Sequence, residues 1–368
     1  MQTTKMVHHD GGLCNNGCAG SGAAGDPHGP LSIAEHPALG SWRTVAPGGS
    51  QEACSCAGAG AWHPALRAAQ ACHAVGPQVS GLSLRHLPVV YLELAKARLT
   101  ALVVVTTAVG FVLAGAEPVH WDELLWAVVG TALAGAGANG LNQCLEARHD
   151  ARMPRTCRRP VAVGRISRQH AMTWSIGTAA GGVALLLLGV NLLTAVLGAL
   201  AVELYALVYT PLKQHSSACT LVGAVVGALP PVMGWTAASG SIGEGAWILG
   251  AILFVWQIPH SLALAWLYRE DYAKGGYHIL TWNDPDGRKT FDMIVLYSLC
   301  LVPVSLALHL VGLAGSWYAL GAIVLGGWLV VLAARLQRRG RDADARRLFL
   351  ATVVHLPLLL GLMLMDRV

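Results

Sequence analysis

Charged residues are scarce in this chain of 368 residues. Asp, Glu, Lys and Arg make up only 12% of it, whereas an ordinary soluble protein carries about 25%. So little charge cannot cover the surface of the two soluble domains that the length alone would suggest. Hydrophobic residues account for 54% of the chain, and its mean hydropathy is +0.51. The composition therefore predicts a membrane protein with several spans and argues against a soluble enzyme.

The first 85 residues lack any long apolar run and are rich in Gly, Ala, Ser, Pro and His. Such a segment has too little apolar area to offset the chain entropy lost on folding. We therefore predict a disordered cytosolic tail over 1–85 and a transmembrane domain over 86–368. The tail also lacks the apolar core of a secretory signal and most of the arginines of a mitochondrial transit peptide. This favours a bacterial cell membrane, with the mitochondrial inner membrane as the alternative.

From about residue 99 onward, the chain consists of long apolar runs, each close to the ~20 residues that cross a bilayer core. Backbone groups find no water partner in lipid, so these runs are expected to be helices and not open strands. Nine spans are predicted, over 99–116, 123–143, 171–189, 191–210, 218–238, 245–266, 291–313, 316–335 and 347–365. The predicted fold is an all-α bundle of nine transmembrane helices.

The basic residues are distributed unequally between the two ends of these spans. The loop after the second span contains seven arginines, and Lys or Arg also follows the fourth, sixth and eighth spans. The loops at the other end contain neither Lys nor Arg. Basic residues mark the cytoplasmic side of a membrane protein. We therefore predict that the N-terminus lies inside and that a site among the basic loops is cytoplasmic.

One group of polar residues lies at the inner end of the second span. Asn142, Glu146 and Asp150 are four residues apart, so on a helix they share one face. Oxygen ligands of this kind suit Mg²⁺, which takes one or two carboxylates and completes its shell with water and phosphate. Arg155 and Arg159 follow directly and can bind phosphate oxygens. The alternative is a solvated loop in which the acids only neutralise the arginines.

A second acidic group follows the sixth span on the same predicted face. Glu270 and Asp271 lie in the sequence YREDYAKG. Two acidic groups at one mouth of a helical bundle would clamp a diphosphate through metal ions. Asp284 and Asp286, which flank Pro285 in the same loop, are more simply interpreted as turn residues.

Two ionisable residues lie inside the spans. A charged group in mid-membrane costs at least ~2.5–3.5 kcal/mol and usually faces a cavity. Glu203 lies near helical spacing from Tyr205 and Tyr209, which predicts a polar stripe. His260 follows Pro259, where a bend would open the helix. The alternative for His260 is a structural histidine that is bonded to a neighbouring carbonyl group.

Five segments resemble the intramembrane prenyltransferases of the ubiquinone-pathway superfamily, and more narrowly its heme-farnesylating branch, the protoheme IX farnesyltransferases or heme O synthases. The segments are NQCLEARHDARMPRTCRRP (142–160), YTPLK (209–213), GAVVGALPPVMGW (223–235), WQIPH (256–260) and YREDYAKG (268–275). They follow the order of that family. The chain departs from it at Glu146, where bacterial members commonly carry Asp, and at Ala97 and Thr281, where a proline is usual.

The resemblance implies transfer of a farnesyl group from farnesyl diphosphate to a vinyl group of heme b, with addition of water, to give heme O for heme-copper oxidase assembly. It implies Mg²⁺ held by Glu146, Asp150 and Asp271, with Lys213 in the catalytic group. Asn142 would be either a further oxygen ligand or a residue that bonds to one of the ligands. The residues implied for the diphosphate are Lys96, Arg98, Arg155, Arg159 and Lys274. Those implied for the heme or the prenyl chain are Glu203, Tyr205, Tyr209, Trp256 and His260. The implied partners are both substrates, the lipid bilayer and a downstream heme A synthase step, without nucleic acid.

Three other functions are compatible with parts of the sequence. Another prenyltransferase of the superfamily would keep the metal site and use a quinone precursor or chlorophyllide as acceptor. A transporter would show paired interrupted helices in two repeated halves, which this sequence lacks. A metal-delivery protein would use the cysteines and histidines of the tail, but their spacing matches no zinc motif.

Overall fold

A computed structural model of the protein describes residues 87–115 and 119–368, so the predicted tail lies outside the described residues. These two ranges form helices and contain no strand. The helices are α1 (Leu87–Leu94), α2 (Ala97–Ala114), α3 (Trp121–Asp150), α4 (Arg168–Gly189), α5 (Leu192–Leu212), α6 (Cys219–Ser239), α7 (Glu244–Leu267), α8 (Arg269–Gly275), α9 (Arg288–Leu310), α10 (Ser316–Arg339) and α11 (Asp342–Met365). The all-α prediction is confirmed.

Nine of the described helices, all except α1 and α8, are long and apolar enough to cross a membrane. This confirms the predicted number of spans, and their positions agree to within a few residues at most ends. The largest difference is at α3, which continues through Asp150 whereas the predicted span ended at residue 143. The last two turns of α3 carry polar side chains, so the apolar run from which the span was predicted ends before them. The first acidic group therefore lies on helix and not on a loop.

Close packing of α3 against α4 depends on glycine, as expected for a membrane bundle. A Cβ atom on Gly137 would come within 2.5 Å of the backbone nitrogen of Ala179, and one on Gly182 would meet the backbone nitrogen of Ala134. These helices make the most extensive helix–helix contact among the described residues. The contact fixes α3, which carries the first acidic group.

Helix α5 changes its winding near its end. It is an α-helix to Glu203, a π-helix over Leu204–Tyr209 and an α-helix again over Thr210–Leu212. Pro211 has no amide hydrogen, and the Thr210 amide and hydroxyl groups both donate to the carbonyl of Tyr205. In this wider turn, the rings of Tyr205 and Tyr209 stack with centroids 5.4 Å apart. The irregular turn thereby presents both tyrosines to the neighbouring helices.

Candidate active site

The polar residues at the end of α3 are buried. Asn142, Glu146 and Asp150 are 1%, 2% and 0% exposed, and they lie on the same face of the helix. The alternative of a solvated loop is therefore wrong for these three side chains. A buried carboxylate requires a charged or hydrogen-bonding partner, because burial without one is costly. Both carboxylates have such partners.

Cations from two other segments pair with the carboxylates. Arg159 donates to both oxygens of Asp150 at 2.8 and 2.7 Å, and its guanidinium lies 3.8 Å from Glu146. Lys213, just after α5, donates to Glu146 at 3.0 Å. Lys96, just before α2, donates to the amide oxygen of Asn142 at 2.6 Å. We call these six residues the polar cluster; three cations converge there on an amide oxygen and two carboxylates.

The three cations differ in how firmly they hold their protons. Burial and the nearby charge of Arg159 lower the pKa of Lys96 to about 7. Burial also opposes the charge of Lys213, but Glu146 together with Tyr209, Tyr272 and Tyr277 outweighs it and raises the pKa of this lysine well above its usual value. Burial likewise opposes the charge of Arg159, but Asp150 raises its pKa. Near neutral pH, Lys213 and Arg159 are therefore charged and Lys96 is partly charged.

The chemistry of the polar cluster fits a hard divalent cation. Two carboxylates and an amide oxygen are donors that Mg²⁺ prefers. The described ranges nevertheless contain no group of three His, Cys, Asp or Glu side chains close enough to share one ion. Asp271 therefore does not join Glu146 and Asp150 in a single preformed group.

Asp271 lies on the short helix α8 and is partly buried. It forms no ion pair within the described ranges. Helix α8 does contact the arginine loop, because the guanidinium of Arg155 lies 5.0 Å from the ring centroid of Tyr268 and 5.7 Å from that of Tyr272. The structure thus brings the second acidic segment to the first, although the carboxylates remain apart.

A cavity of about 220 Å³ adjoins the polar cluster. Its wall is mostly aliphatic and comes from α2, α3, α5, α6, α7 and α11, and we call it the apolar cavity. Two polar residues in this wall, Asn139 and Tyr205, connect it to the cluster. The Tyr205 hydroxyl donates to Asn139 and accepts from Lys96, each at 3.3 Å. Charged and apolar groups therefore meet at one junction.

His260 and Trp256 also line the apolar cavity. Their rings stack at 4.9 Å, and the indole nitrogen of Trp256 donates to the carbonyl of Thr352. His260 Nδ1 shares a hydrogen bond of 2.9 Å with the hydroxyl of Thr352, while its Nε2 has no hydrogen-bond partner among the described residues. The ring is thus fixed in place through one nitrogen, and the other is free for a ligand.

Three of the residues named from the sequence are not brought to this site. Arg98, Lys274 and Glu203 are exposed. Lys96 precedes α2 in a left-handed backbone conformation with φ 47°, so its direction does not predict that of Arg98 in the first turn of α2. Glu203 lies two positions before Tyr205, and residues two apart point to nearly opposite faces of a helix. The expected polar stripe therefore contains Tyr205 and Tyr209 without Glu203.

The structure adds three residues that the sequence did not indicate. Asn139 lies one turn before Asn142, and a buried amide in a membrane helix was the signal that could have identified it. Thr210 accepts a hydrogen bond from Asn142 at 3.1 Å. Tyr277 is completely buried, with the Lys213 ammonium 5.0 Å from its ring centroid. Tyr277 lies in a loop, where no periodicity marks it.

Comparison with known proteins defines the class. Residues 103–353 match the UbiA prenyltransferase family. The chain belongs to this family and is a prenyltransferase with multiple membrane spans, which confirms the resemblance inferred from the acidic segments.

Two relatives are informative about the branch of the family. The chain is 39% identical over 286 residues to the protoheme IX farnesyltransferase of Solibacter usitatus, a match that covers 75% of this chain and 98% of the relative. It is 44% identical over 283 residues to the mitochondrial protoheme IX farnesyltransferase of Homo sapiens, where the match covers 77% of this chain and 63% of the relative.

Solved structures of the family share the fold. One of digeranylgeranylglyceryl phosphate synthase superposes with a TM-score of 0.65 at 15% identity, covering 75% of this chain and 97% of the other. A UbiA homolog from Archaeoglobus fulgidus bound to GPP and Mg²⁺ superposes with a TM-score of 0.52 at 13% identity, and the match covers 74% of this chain and 99% of the homolog. At these identities the likeness concerns the fold alone.

Proposed function

We propose that this protein transfers a farnesyl group from farnesyl diphosphate to a vinyl group of heme b, with addition of water, and so makes heme O. The observation that carries the proposal is the junction at Tyr205 and Asn139, where the polar cluster meets the apolar cavity. A prenyl diphosphate has the same division between a charged head and an apolar chain. The activity named for the relatives from Solibacter and Homo sapiens supports the choice of substrates.

The cations of the polar cluster would bind the diphosphate. The three cations, Lys96, Lys213 and Arg159, now donate hydrogen bonds to side-chain oxygens of α3. In the complex, phosphate oxygens would replace these side-chain oxygens as acceptors. Their charge would stabilise the diphosphate as it departs. When bound, Mg²⁺ ions would be held by Glu146 and Asp150 on α3 and by Asp271 on α8, and they would supply further positive charge at the leaving group. A homolog with this fold has been solved with GPP and Mg²⁺ bound, which supports the use of both ligands by the fold.

The apolar cavity would hold the prenyl chain and the edge of the acceptor. Ionisation produces an allylic cation, which must be kept from bulk water until the vinyl group attacks. The rings of Tyr205 and Trp256 line this cavity, and aromatic faces stabilise cations. His260, with Nδ1 held by Thr352, would contact the porphyrin through its other ring nitrogen.

The charge of the loops supports our proposal for the side of the membrane on which the reaction occurs. The arginines after α3 place the polar cluster at the basic end of the bundle, which we assign to the cytoplasmic side of a bacterial cell membrane. Heme O made there would serve heme-copper oxidase assembly through a downstream heme A synthase step.

The test is to incubate membranes containing the protein with labelled farnesyl diphosphate and hemin, and then to separate the hemes by chromatography. We expect label in a heme product from the wild-type protein and not from an Asp150→Asn variant, which preserves shape and removes a charge. A quinone precursor supplied in parallel serves as the competing acceptor. Label transferred to the quinone precursor and not to heme would contradict the proposed acceptor.

A further inference from the structure

A second cavity lies beside the apolar cavity and differs from it in chemistry. It has a volume of about 90 Å³, and we call it the hydroxyl cavity. Its polar lining residues are Tyr209, Lys213, Thr220, Gln257, Ser261 and Tyr272. Most of the wall of the apolar cavity is aliphatic by contrast. The two cavities therefore offer different environments on two sides of a shared wall.

Gln257 is part of that wall, because it lines both cavities. Its amide nitrogen donates to the carbonyl of Gly223 on α6 at 3.1 Å, and its amide oxygen occupies the space that a Cβ on Gly227 would need. The stacked rings of Tyr205 and Tyr209 form another part, since Tyr205 lines the apolar cavity and Tyr209 lines the hydroxyl cavity. The wall is therefore built from α5, α6 and α7.

The polar groups in the hydroxyl cavity have unused hydrogen-bonding capacity. The hydroxyls of Tyr209, Ser261 and Tyr272 have no hydrogen-bond partner among the residues that the structure describes. Lys213 donates to Glu146, and its ammonium carries two further hydrogens. These three residues are partly buried, and polar groups that line a cavity without a protein partner are commonly satisfied by ordered water. The volume corresponds to about three water molecules, at roughly 30 Å³ each.

We propose that the hydroxyl cavity stores the water that ends the reaction by adding to the prenylated acceptor, and that Gln257 separates this water from the apolar cavity. The inference rests on the proposed function, in which heme b gains both a farnesyl group and a hydroxyl group.

The chemistry requires water at one stage only. The C1–O bond of farnesyl diphosphate breaks first, and its electron pair leaves with the diphosphate. The vinyl double bond then forms a bond to C1 of the resulting farnesyl cation. The second vinyl carbon becomes a cation beside the porphyrin ring. A water oxygen then bonds to this carbon, and the proton released passes to a diphosphate oxygen. No oxidant is needed, because one water molecule is consumed and one diphosphate is released.

Water that arrived earlier would destroy the farnesyl cation and produce farnesol. Water that never arrived would leave the second cation to lose a proton, giving a product lighter by one water molecule. A store of ordered water behind a side chain that lines both cavities meets both demands. The ratio of these products therefore reports on the hydroxyl cavity.

The experiment uses the full chain in membranes with farnesyl diphosphate and hemin, and mass spectrometry of the products. For Ser261→Ala, we expect the ratio of dehydrated to hydrated farnesyl-heme to rise by about tenfold, roughly the effect of one lost hydrogen bond. Gln257→Leu removes the bond that holds this side chain to Gly223, so we expect a larger fraction of farnesyl diphosphate to end as farnesol. Ser298→Ala is the matched control, because the Ser298 hydroxyl bonds within α9 to the carbonyl of Ile294 and lines neither cavity. This control should keep the wild-type ratio.

Gly227→Ala provides an independent variant, since the added Cβ displaces the amide of Gln257 without altering a polar group. We expect a larger fraction of farnesyl diphosphate to end as farnesol. Wild-type product ratios in all three variants would overturn the inference while leaving heme farnesylation intact. A wild-type protein that prenylates no heme would instead overturn the proposed function, and with it this inference.

Discussion

Arg159 holds Asp150 through two hydrogen bonds of 2.8 and 2.7 Å, although nine residues separate them along the chain. Asp150 is predicted from the sequence to bind a metal, and Arg159 is predicted to bind phosphate. In the structure the two side chains neutralise each other. Binding of a metal-bound diphosphate would exchange these partners without leaving any buried charge unpaired. This relationship makes Arg159 the most informative residue for mutation.

We expect Arg159→Ala to impair both folding stability and activity. It leaves Asp150 buried without its partner, which costs about 3 kcal/mol or more. Arg159→Lys retains the charge but loses the planar guanidinium group, whose Nη1 donates to both oxygens of Asp150, so its defect should be intermediate. Thermal unfolding in detergent and the KM for farnesyl diphosphate measure the two effects. Arg158→Ala, an exposed neighbour, is the control, and an equal defect in that variant would contradict the pairing.

Asp150→Ala and Asp271→Ala should each abolish turnover while the protein still accumulates in the membrane. Each removes a carboxylate proposed to hold Mg²⁺, and EDTA should have the same effect until Mg²⁺ is restored. Asp286→Ala, in the exposed turn before α9, should retain activity. If either of the first two variants kept more than about a tenth of the wild-type rate, a loss below ~1.4 kcal/mol, the two-segment metal site would be wrong.

His260→Ala should weaken use of heme and leave the affinity for farnesyl diphosphate nearly unchanged. Its ring lines the apolar cavity and is held in place by Trp256 and Thr352. Separate titration of the two substrates distinguishes the effects. His309→Ala, whose ring bonds to the carbonyl of Ala314, is the control. Equal losses for both substrates in His260→Ala would indicate a structural histidine.

Affinity for farnesyl diphosphate should fall as the pH rises through about 7. Burial and Arg159 lower the pKa of Lys96 to about 7, so this lysine is positive below that pH and neutral above it. An anionic ligand favours the charged form, so binding near neutral pH should take up a proton. Lys96→Arg keeps its charge throughout and should flatten the dependence. Identical pH profiles of KM in the two proteins would exclude Lys96 as the titrating group.

A truncated chain that starts near Gly81 should insert into the membrane and prenylate heme as the full chain does. The family match begins at residue 103, well after the tail. The measurement is the same labelled-product assay, normalised to the amount of protein in the membrane. Normal insertion without activity would show that the cysteines and histidines of the tail contribute to function.

Local sequence alone was sufficient for the membrane helices and for the shared face of the first acidic group. Apolar runs near 20 residues identify membrane helices because lipid offers no partner for free backbone groups. The four-residue spacing of Asn142, Glu146 and Asp150 placed them on one face because helical geometry is regular. The apolar runs and the four-residue spacing both depend only on residues close together in the sequence. The structure confirms the helices and the shared face that they predict.

Only the tertiary structure decided which distant groups meet. It paired Lys213 with Glu146 across 67 residues, turned Glu203 outward, and kept Asp271 apart from the carboxylates of α3. It also placed Gln257 against the glycines of α6, between two cavities of different polarity. These results depend on the rotation of each helix about its axis and on how closely helices pack. The rotation and the closeness of packing are both set by the combined side chains of several helices. The sequence of one segment is therefore not enough to predict them.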